Sequence, residues 1–330
     1  MTNSTDIQRI FASFNGGGKA SLPELSLALL EEQKAAWKDL REGYGGLASL
    51  KEHRIEEDEI SVILQYNPKR IISAGANIDP VAIKARPCFL CRRNLPDAQK
   101  AVLYRKKFLI LCNPAPIFPF HFTIAHIEHI PQLLSRALPS FLQLAKDFLP
   151  SFALLYNGPR CGASAPDHLH FQAIPKAAVP VLNDGRAGGK KVLRKETGGL
   201  RLFKMEGGGI PVIIVEGRSK AGVVAFVRRI IKAMKQVFSA PAEPMMNLFC
   251  LYNDGKWEVV MFSRGKHRPD VYFKSGKDRL LISPGAVDMG GIVIVTREED
   301  FYHLDAAAVR GIIREVSLPD EKVEEIIAAL

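Results

Sequence analysis

Asn157-Gly-Pro-Arg-Cys-Gly-Ala-Ser164-Ala-Pro-Asp-His168-Leu-His170-Phe-Gln172 decides how this chain of 330 residues is read. Two histidines and a glutamine fall on alternate positions, and alternation places side chains on one face of a strand. The residues before them are mostly small, so the loop offers backbone N–H groups and the Ser164 hydroxyl. An imidazole behind such a loop suits attack on a phosphate. Neutral imidazole is nucleophilic near pH 7, and its second nitrogen can be held by a hydrogen bond. For Gly158 and Gly162 a plain turn role and direct phosphate contact both fit.

Three further stretches join this one: Cys88-Phe-Leu-Cys91, Phe122-Thr-Ile-Ala-His-Ile-Glu-His129-Ile-Pro-Gln-Leu and Gln65-Tyr-Asn-Pro68. Together they resemble the histidine-triad (HIT) superfamily in its His-x-His-x-Gln branch, which holds galactose-1-phosphate uridylyltransferase, diadenosine tetraphosphate phosphorylase and GDP-hexose phosphorylases. Over nearly its whole length the chain is similar to an uncharacterised bacterial family sharing Tyr156 to Gln172, Gly265-Lys-His-Arg-Pro269 and Ser283-Pro-Gly-Ala-Val-Asp288. The resemblance implies an α+β, HIT-like fold with two related lobes of antiparallel sheet and packed helices. The division expected is an N-terminal helical segment (1–59), a catalytic lobe (60–182), a Gly/basic connecting segment (183–217) and a second lobe with C-terminal helices (218–330).

The resemblance also assigns roles. His170 would attack the α-phosphorus of a nucleotide and form a covalent nucleotidyl-histidine. Gln172 replaces a third histidine. Its amide can donate a hydrogen bond to a phosphate oxygen but cannot act as a general acid, which favours transfer over hydrolysis. Ser164, with the N–H groups around Gly162 and Ala163, would cradle the phosphate as charge develops. Asn157 would organise the loop or orient the nucleophilic ring. His121 would line the nucleotide pocket or pack in the core. Arg70, Lys266, His267 and Arg268 are either candidates for distal phosphate or leaving-group contacts, because cations pair well with phosphate, or solvated surface charges. Cys88, Cys91, His129 and His168 would form a closed, structural Zn²⁺ site of two thiolates and two imidazoles, with His126 the alternative to His129. Asp288 would bind a sugar or ribose hydroxyl or belong to an ordinary turn. Cys161, within the loop, would make the site sensitive to oxidation.

The activity so implied is that of a nucleotidyltransferase or phosphorylase. Its donor would be a nucleoside diphosphate sugar or dinucleoside polyphosphate, and its acceptor phosphate or a sugar phosphate. The alternative is a non-catalytic nucleotide- or RNA-binding protein. A homodimer is expected from the family.

The rest of the sequence bounds these readings. At 47% hydrophobic residues the chain can bury a large core. No apolar run reaches the roughly 18 to 20 residues needed to span a bilayer. Met1-Thr-Asn-Ser-Thr-Asp6 has neither the basic start nor the apolar centre of a signal peptide, so a cytoplasmic location is expected. Five cysteines, two of them in a Cys-x-x-Cys, suit metal binding or free thiols better than a disulfide framework. Between Arg186 and Lys235 thirteen Lys and Arg face only Glu196, Glu206 and Glu216, a balance of +10 that equals the chain's net charge. The charges are interleaved with glycines and aliphatics, and Phe203, Phe226 and Phe238 are too scattered for a base-stacking platform. Small-anion capture or lobe packing is therefore expected there, not nucleic-acid binding.

Periodicity gives a helical region from about 20 to 60, capped by Ser21-Leu-Pro-Glu24, and a helix over 132–148. Strands are expected over 60–66, 102–112, 121–125, 151–156 and 168–174. Residues 183–209 read as a long loop or hairpin, and 219–238 as a basic amphipathic helix. Strands over 246–252 and 257–262 flank the hairpin signal Asn253-Asp-Gly-Lys256. A strand over 291–296 and helices from 305 to 330 follow.

Overall fold

The computed structural model describes residues 9–57, 60–77, 79–183, 189–238 and 243–330. The N-terminal Met1 to Asp6, the expected domain boundary at residue 59, and residues 184–188 of the Gly/basic segment lie outside the described residues.

An eleven-stranded sheet forms the centre of the molecule. Its strands are β1 (Ile10–Phe14), β4 (Ala101–Tyr104), β5 (Phe108–Cys112), β6 (Phe122–His126), β7 (Phe152–Asn157), β8 (His170–Pro175), β9 (Gly189–Thr197), β10 (Leu200–Gly207), β11 (Val212–Gly217), β12 (Met246–Asn253) and β13 (Lys256–Ser263). β2 (Lys51–Glu57), β3 (Ile60–Tyr66) and β14 (Ile292–Val295) form a separate small sheet in the order β14-β3-β2. The helices are α1 (Leu22–Ala36), α2 (Lys38–Gly45), α3 (Ile71–Ala74), α4 (Pro80–Ala85), α5 (Leu134–Asp147), α6 (Lys220–Phe238), α7 (Ala286–Met289), α8 (Glu298–His303), α9 (Ala306–Val316) and α10 (Asp320–Ala328).

Strand order in the large sheet is β1-β4-β5-β6-β8-β7-β12-β13-β11-β10-β9. The run β4, β5, β6, α5, β7, β8 and the run β9, β10, β11, α6, β12, β13 have the same succession of elements. They also have the same neighbour pattern, every pairing within them is antiparallel, and they meet where β7 pairs antiparallel with β12. Two related antiparallel units with packed helices therefore supply ten of the eleven strands, as an approximate two-fold arrangement within one chain, and β1 adds to the edge by pairing parallel with β4. The second unit begins earlier than expected. Residues 189–217, read as a connecting segment, supply β9, β10 and β11. Conversely, β3 leaves the expected catalytic lobe and joins the small sheet, and the N-terminal helical segment ends in β2.

Both faces of the large sheet are covered, which explains why β7 is buried at every position. On one face α1, α5, α6 and α10 pack over residues such as Phe122, Tyr156, Phe171, Ile213 and Met261. On the other, the small sheet, α7 and α9 pack over Leu155, Ile174, Phe249 and Phe262. The amphipathic reading of α6 is correct: Val223, Val224, Val227, Ile230 and Ile231 are buried. Ser21 caps α1, its hydroxyl accepting from Glu24 N–H while the Glu24 carboxylate accepts from Ser21 N–H at 2.7 Å. Much of the basic charge on β9 and β10 is met by acidic neighbours: Lys191 by Glu216 and Glu258, Arg201 by Glu216, Arg194 by Glu324, and Lys204 by Asp320 and Glu324. Among the described residues no helix is long and apolar enough to cross a membrane.

Candidate active site

The two units differ most at one connection. β12 and β13 pair up to Asn253 opposite Lys256 and close through Asp254 and Gly255, both at positive φ, as a tight hairpin requires. Between β7 and β8 the chain instead makes a long loop, residues 158–169. That loop leads into His170, so only the first unit carries this constellation.

His170 and Gln172 lie on β8, on the face opposite Phe171, which packs into the helical core. His168 is not on the strand. It occupies the bend before it, so the expected single-face row of three side chains holds for two. The His170 ring is nearly buried, and its Nδ1 lies 2.8 Å from the His168 carbonyl. A carbonyl only accepts, so Nδ1 carries the proton and Nε2 keeps its lone pair. Burial lowers the His170 pKa to about 4, which keeps the ring neutral.

The orientation of Gln172 follows from the same kind of argument. Ile117 N–H donates to His121 Nδ1 at 3.2 Å, which leaves the proton of that ring on Nε2. His121 Nε2–H donates to Gln172 Oε1 at 2.7 Å. The amide oxygen is thereby occupied and the NH₂ remains as the donor. Burial, reinforced by the nearby Arg70 charge, pushes the His121 pKa down to about 3.

Loop 158–169 is tied to the second unit. Asn157 Oδ1 accepts from Ala286 N–H at 2.8 Å and from Asn247 Nδ2 at 2.7 Å. Asn247 Nδ2 also donates to the Cys161 carbonyl at 2.7 Å. Asn157 thus organises the loop, and its amide bonds go to α7 and β12, not to the His170 ring. Gly162 has φ +85, and a Cβ there would lie 2.7 Å from Gly285 Cα, so glycine is required on both counts. Ala163 is buried beside it. The Ser164 carbonyl accepts from Arg86 Nη2 at 3.1 Å, and its hydroxyl has no protein partner among the described residues. Cys161 is fully buried and burial pushes its thiol up to about 11, which removes the expected sensitivity to oxidation.

The distal basic candidates separate. Arg70 Nη1 donates to the Ala115 carbonyl at 3.0 Å, close enough to His121 and Asp288 for its charge to act on both. Arg268 stacks on Tyr272, 4.1 Å from the ring centre, and donates to Ser283 Oγ and the Ala76 carbonyl. His267 is lowered to about 4, first by burial and then by Arg268, Arg264 and Arg160. Lys266 does not suit its expected role as a phosphate contact, because its ammonium is held by Asp270 and Glu315 at 2.5 Å each. Asp288 accepts from Gly285 N–H and Ile294 N–H, one bond per carboxylate oxygen, which is the turn role of its two alternatives.

Cys88, Cys91, His129 and His168 converge, with all four donor atoms within 4.8 Å of one another. Sulfur-to-nitrogen distances are 3.3 Å for Cys88 to His168 Nδ1, 3.2 Å for Cys91 to His129 Nδ1 and 3.7 Å for Cys91 to His168 Nδ1. Tetrahedral zinc with ordinary bond lengths would hold such pairs roughly 3.5 Å apart, so the set fits. The opposite nitrogens are supported as metal-bound imidazoles require: His168 Nε2–H donates to the His126 carbonyl at 2.8 Å, and His129 Nε2 faces Asp167 at 3.6 Å. His126 Nδ1 instead accepts from Glu128 N–H, and this ring lies outside the group. Burial pushes the Cys88 thiol up to about 11, a cost that a cation between the thiols would reverse.

Three residues that the sequence reading missed complete the site. Gln132 is buried beside His170. Asn247 joins the units. Arg264, 2% exposed, spends its guanidinium on Asn247 Oδ1 and on the carbonyls of Val316, Pro284, Lys266 and His267. A polar residue at the edge of an apolar run was the only local signal for each.

Fold and site together define an α+β protein of HIT-like fold, in which the first unit carries the His170 constellation and the second lacks it. A family model described as a domain of unknown function, DUF4922, matches residues 29–175. No curated protein matches the sequence. Among solved structures, that of yeast Ap4A phosphorylase Apa2 in complex with AMP is similar at a TM-score of 0.57 and 14% identity, covering 89% of this chain and 96% of that one. The same yeast protein in complex with Ap4A gives 0.53 and 14%, covering 86% and 97%. The likeness extends over both units, and at this identity it shows the shared fold.

Proposed function

We propose that this chain is a phosphorylase-type nucleotidyltransferase working through a covalent nucleotidyl-His170. The observation that carries the proposal is the fixed tautomer of His170: Nδ1–H is spent on the His168 carbonyl, so the Nε2 lone pair is the one available to attack. In the first step Nε2 attacks the α-phosphorus of a nucleoside diphosphate sugar or dinucleoside polyphosphate. An N–P bond forms, and the P–O bond to the leaving phosphate breaks. In the second step an oxygen of phosphate or of a sugar phosphate attacks the same phosphorus, and the N–P bond breaks to release the new nucleotide.

The surrounding groups have roles to match. In this reading the Gln172 NH₂, the free Ser164 hydroxyl and the N–H groups of Gly162 and Ala163 would receive the phosphate oxygens as charge builds in the transition state. An amide in place of a third imidazole leaves no proton donor to assist water, which favours transfer. Arg70 and Arg268 supply positive charge for the remainder of the donor. Cys88, Cys91, His129 and His168 would hold a structural Zn²⁺, which when bound supplies a rigid cross-link and, with all four positions taken by protein, no site for substrate. Through His168 that cross-link would fix the peptide two residues before the nucleophile.

The test is a panel of Ap4A, Ap3A, UDP-glucose, GDP-mannose and ADP-glucose, each incubated with the protein with and without orthophosphate. Phosphate-dependent release of a nucleoside diphosphate from at least one donor is expected. No turnover of any donor, together with no binding of AMP, UMP or GMP, would overturn the proposal.

A further inference from the structure

The ladder between β7 and β8 stops early. Its register runs from Phe152 opposite Pro175 to Leu155 opposite Gln172. Continued by two residues, it would set Asn157 opposite His170. In place of that pairing stands the side-chain amide of Gln132. Its Oε1 accepts from His170 N–H at 2.7 Å, and its Nε2 donates to the His170 carbonyl at 3.0 Å and to the Asn157 carbonyl at 2.9 Å. A primary amide offers the same donor and acceptor as a peptide group, so Gln132 pairs with the main chain of His170 as a neighbouring strand would.

Gln132 is itself held. It is 1% exposed and precedes α5. Its carbonyl accepts from Tyr156 OH at 3.1 Å, and that hydroxyl also bonds Glu243 at 2.5 Å. The Glu243 carboxylate accepts from Leu134 N–H at 2.8 Å and from Ser135 N–H at 3.2 Å, which pins the chain immediately after Gln132. The second unit has no such insertion. There the ladder runs on to Asn253 opposite Lys256 and the connection is a tight turn.

We propose that Gln132 is a positioning residue that splits β7 from β8, so that loop 158–169 opens over the nucleophile, while locking the His170 main chain. With that main chain fixed, the bond from Nδ1 to the His168 carbonyl fixes the direction of Nε2. The proposal rests on the reading of His170 as nucleophile.

Two variants test it: Gln132→Leu, which keeps the bulk and removes all three bonds, and Gln132→Glu, which keeps the acceptor and loses both donors. Single-turnover labelling of the protein by radiolabelled Ap4A is measured beside AMP affinity, thermal stability and amide exchange at His170 by NMR. Misplacing a nucleophile by about an ångström can cost on the order of a hundredfold, so labelling should fall by roughly that factor in Gln132→Leu and less in Gln132→Glu, with AMP affinity changed by less than about threefold. Exchange at His170 N–H should accelerate in Gln132→Leu, while Leu154 and Ala173 stay protected. Unchanged His170 exchange in Gln132→Leu, or labelling and AMP affinity that fall in equal proportion in either variant, would overturn the proposal. If wild type is not labelled, the functional reading fails and exchange at His170 still decides whether Gln132 locks the strand. Should Gln132→Leu not fold, Gln132→Glu decides by labelling against AMP affinity, because it keeps the bond to His170 N–H and loses those to the two carbonyls.

Discussion

Replacing His121 with Phe should separate two consequences of one buried ring. In wild type the ring accepts from Ile117 N–H at 3.2 Å and donates to Gln172 Oε1 at 2.7 Å. Phe fills the space and makes neither bond. The Ile117 N–H is buried and becomes an orphan, which costs about 1 to 3 kcal/mol, whereas the half-buried Gln172 oxygen can turn to water. At pH 7 the variant should therefore be less stable by about 1 to 3 kcal/mol. The pH dependence has a definite sign. The folded His121 pKa is depressed to about 3 from an ordinary value of 6.5, so the unfolded chain takes up the proton first. The stability this ring contributes is fully present above pH 6.5 and is lost as pH falls toward 3, by about 1.4 kcal/mol per pH unit. His121→Phe lacks that loss, and contributions from the other histidines cancel in the difference. The gap between the two proteins should accordingly narrow by about 2 kcal/mol between pH 6.5 and 5. Urea denaturation at pH 7, 6 and 5 measures it. The released Gln172 amide can flip its oxygen toward the phosphate, so nucleotide transfer at pH 7 should fall roughly tenfold or more. Parallel stability curves from pH 7 to 5, with transfer intact, would refute the assigned tautomer and its hold on Gln172.

The other expectations are simpler to state. Purified protein should carry close to one Zn²⁺ per chain by elemental analysis, and Cys88→Ser should lose it together with thermal stability, because the four donors cross-link distant segments. Arg264→Met should cost about 3 kcal/mol or more in urea denaturation, since it strips donors from several buried carbonyls and from Asn247 at once. The basic segment should show no submicromolar RNA or DNA binding at physiological salt in fluorescence anisotropy, because Lys191, Arg194, Arg201 and Lys204 are already paired with carboxylates.

What the sequence made legible was local. Alternation placed His170 and Gln172 on one strand face, a capping box began α1, and aliphatic spacing marked the buried stripe of α6. Asn253-Asp-Gly-Lys256 marked the hairpin through residues able to take positive φ. The failures came where distant partners decide. β9 carries so many charges that 183–209 reads as a long loop or hairpin between lobes; it is a hairpin, but one that belongs to the large sheet, its charges met by Glu216, Glu258 and Glu324, the last of them on α10. Lys266 reads as a free cation beside His267 until Glu315 arrives from α9. His168 follows the period of a strand, but its neighbour Leu169 bonds the Ile130 carbonyl and its own ring is drawn to His126, which keeps it in the bend. Gln132 acts on the main chain of His170, 38 residues away, and Arg264 on that of Val316, 52 residues away, and no spacing rule announces either.

The central claim is that His170 Nε2 becomes covalently nucleotidylated. Its most direct test is mass spectrometry of the intact protein and its peptides after brief incubation with a donor from the panel in the absence of acceptor, quenched at alkaline pH. One added nucleoside monophosphate is expected on the peptide containing His170, discharged by orthophosphate and absent from His170→Ala. Turnover of the same donor by His170→Ala at the wild-type rate, or the adduct on any residue other than His170, would contradict the claim.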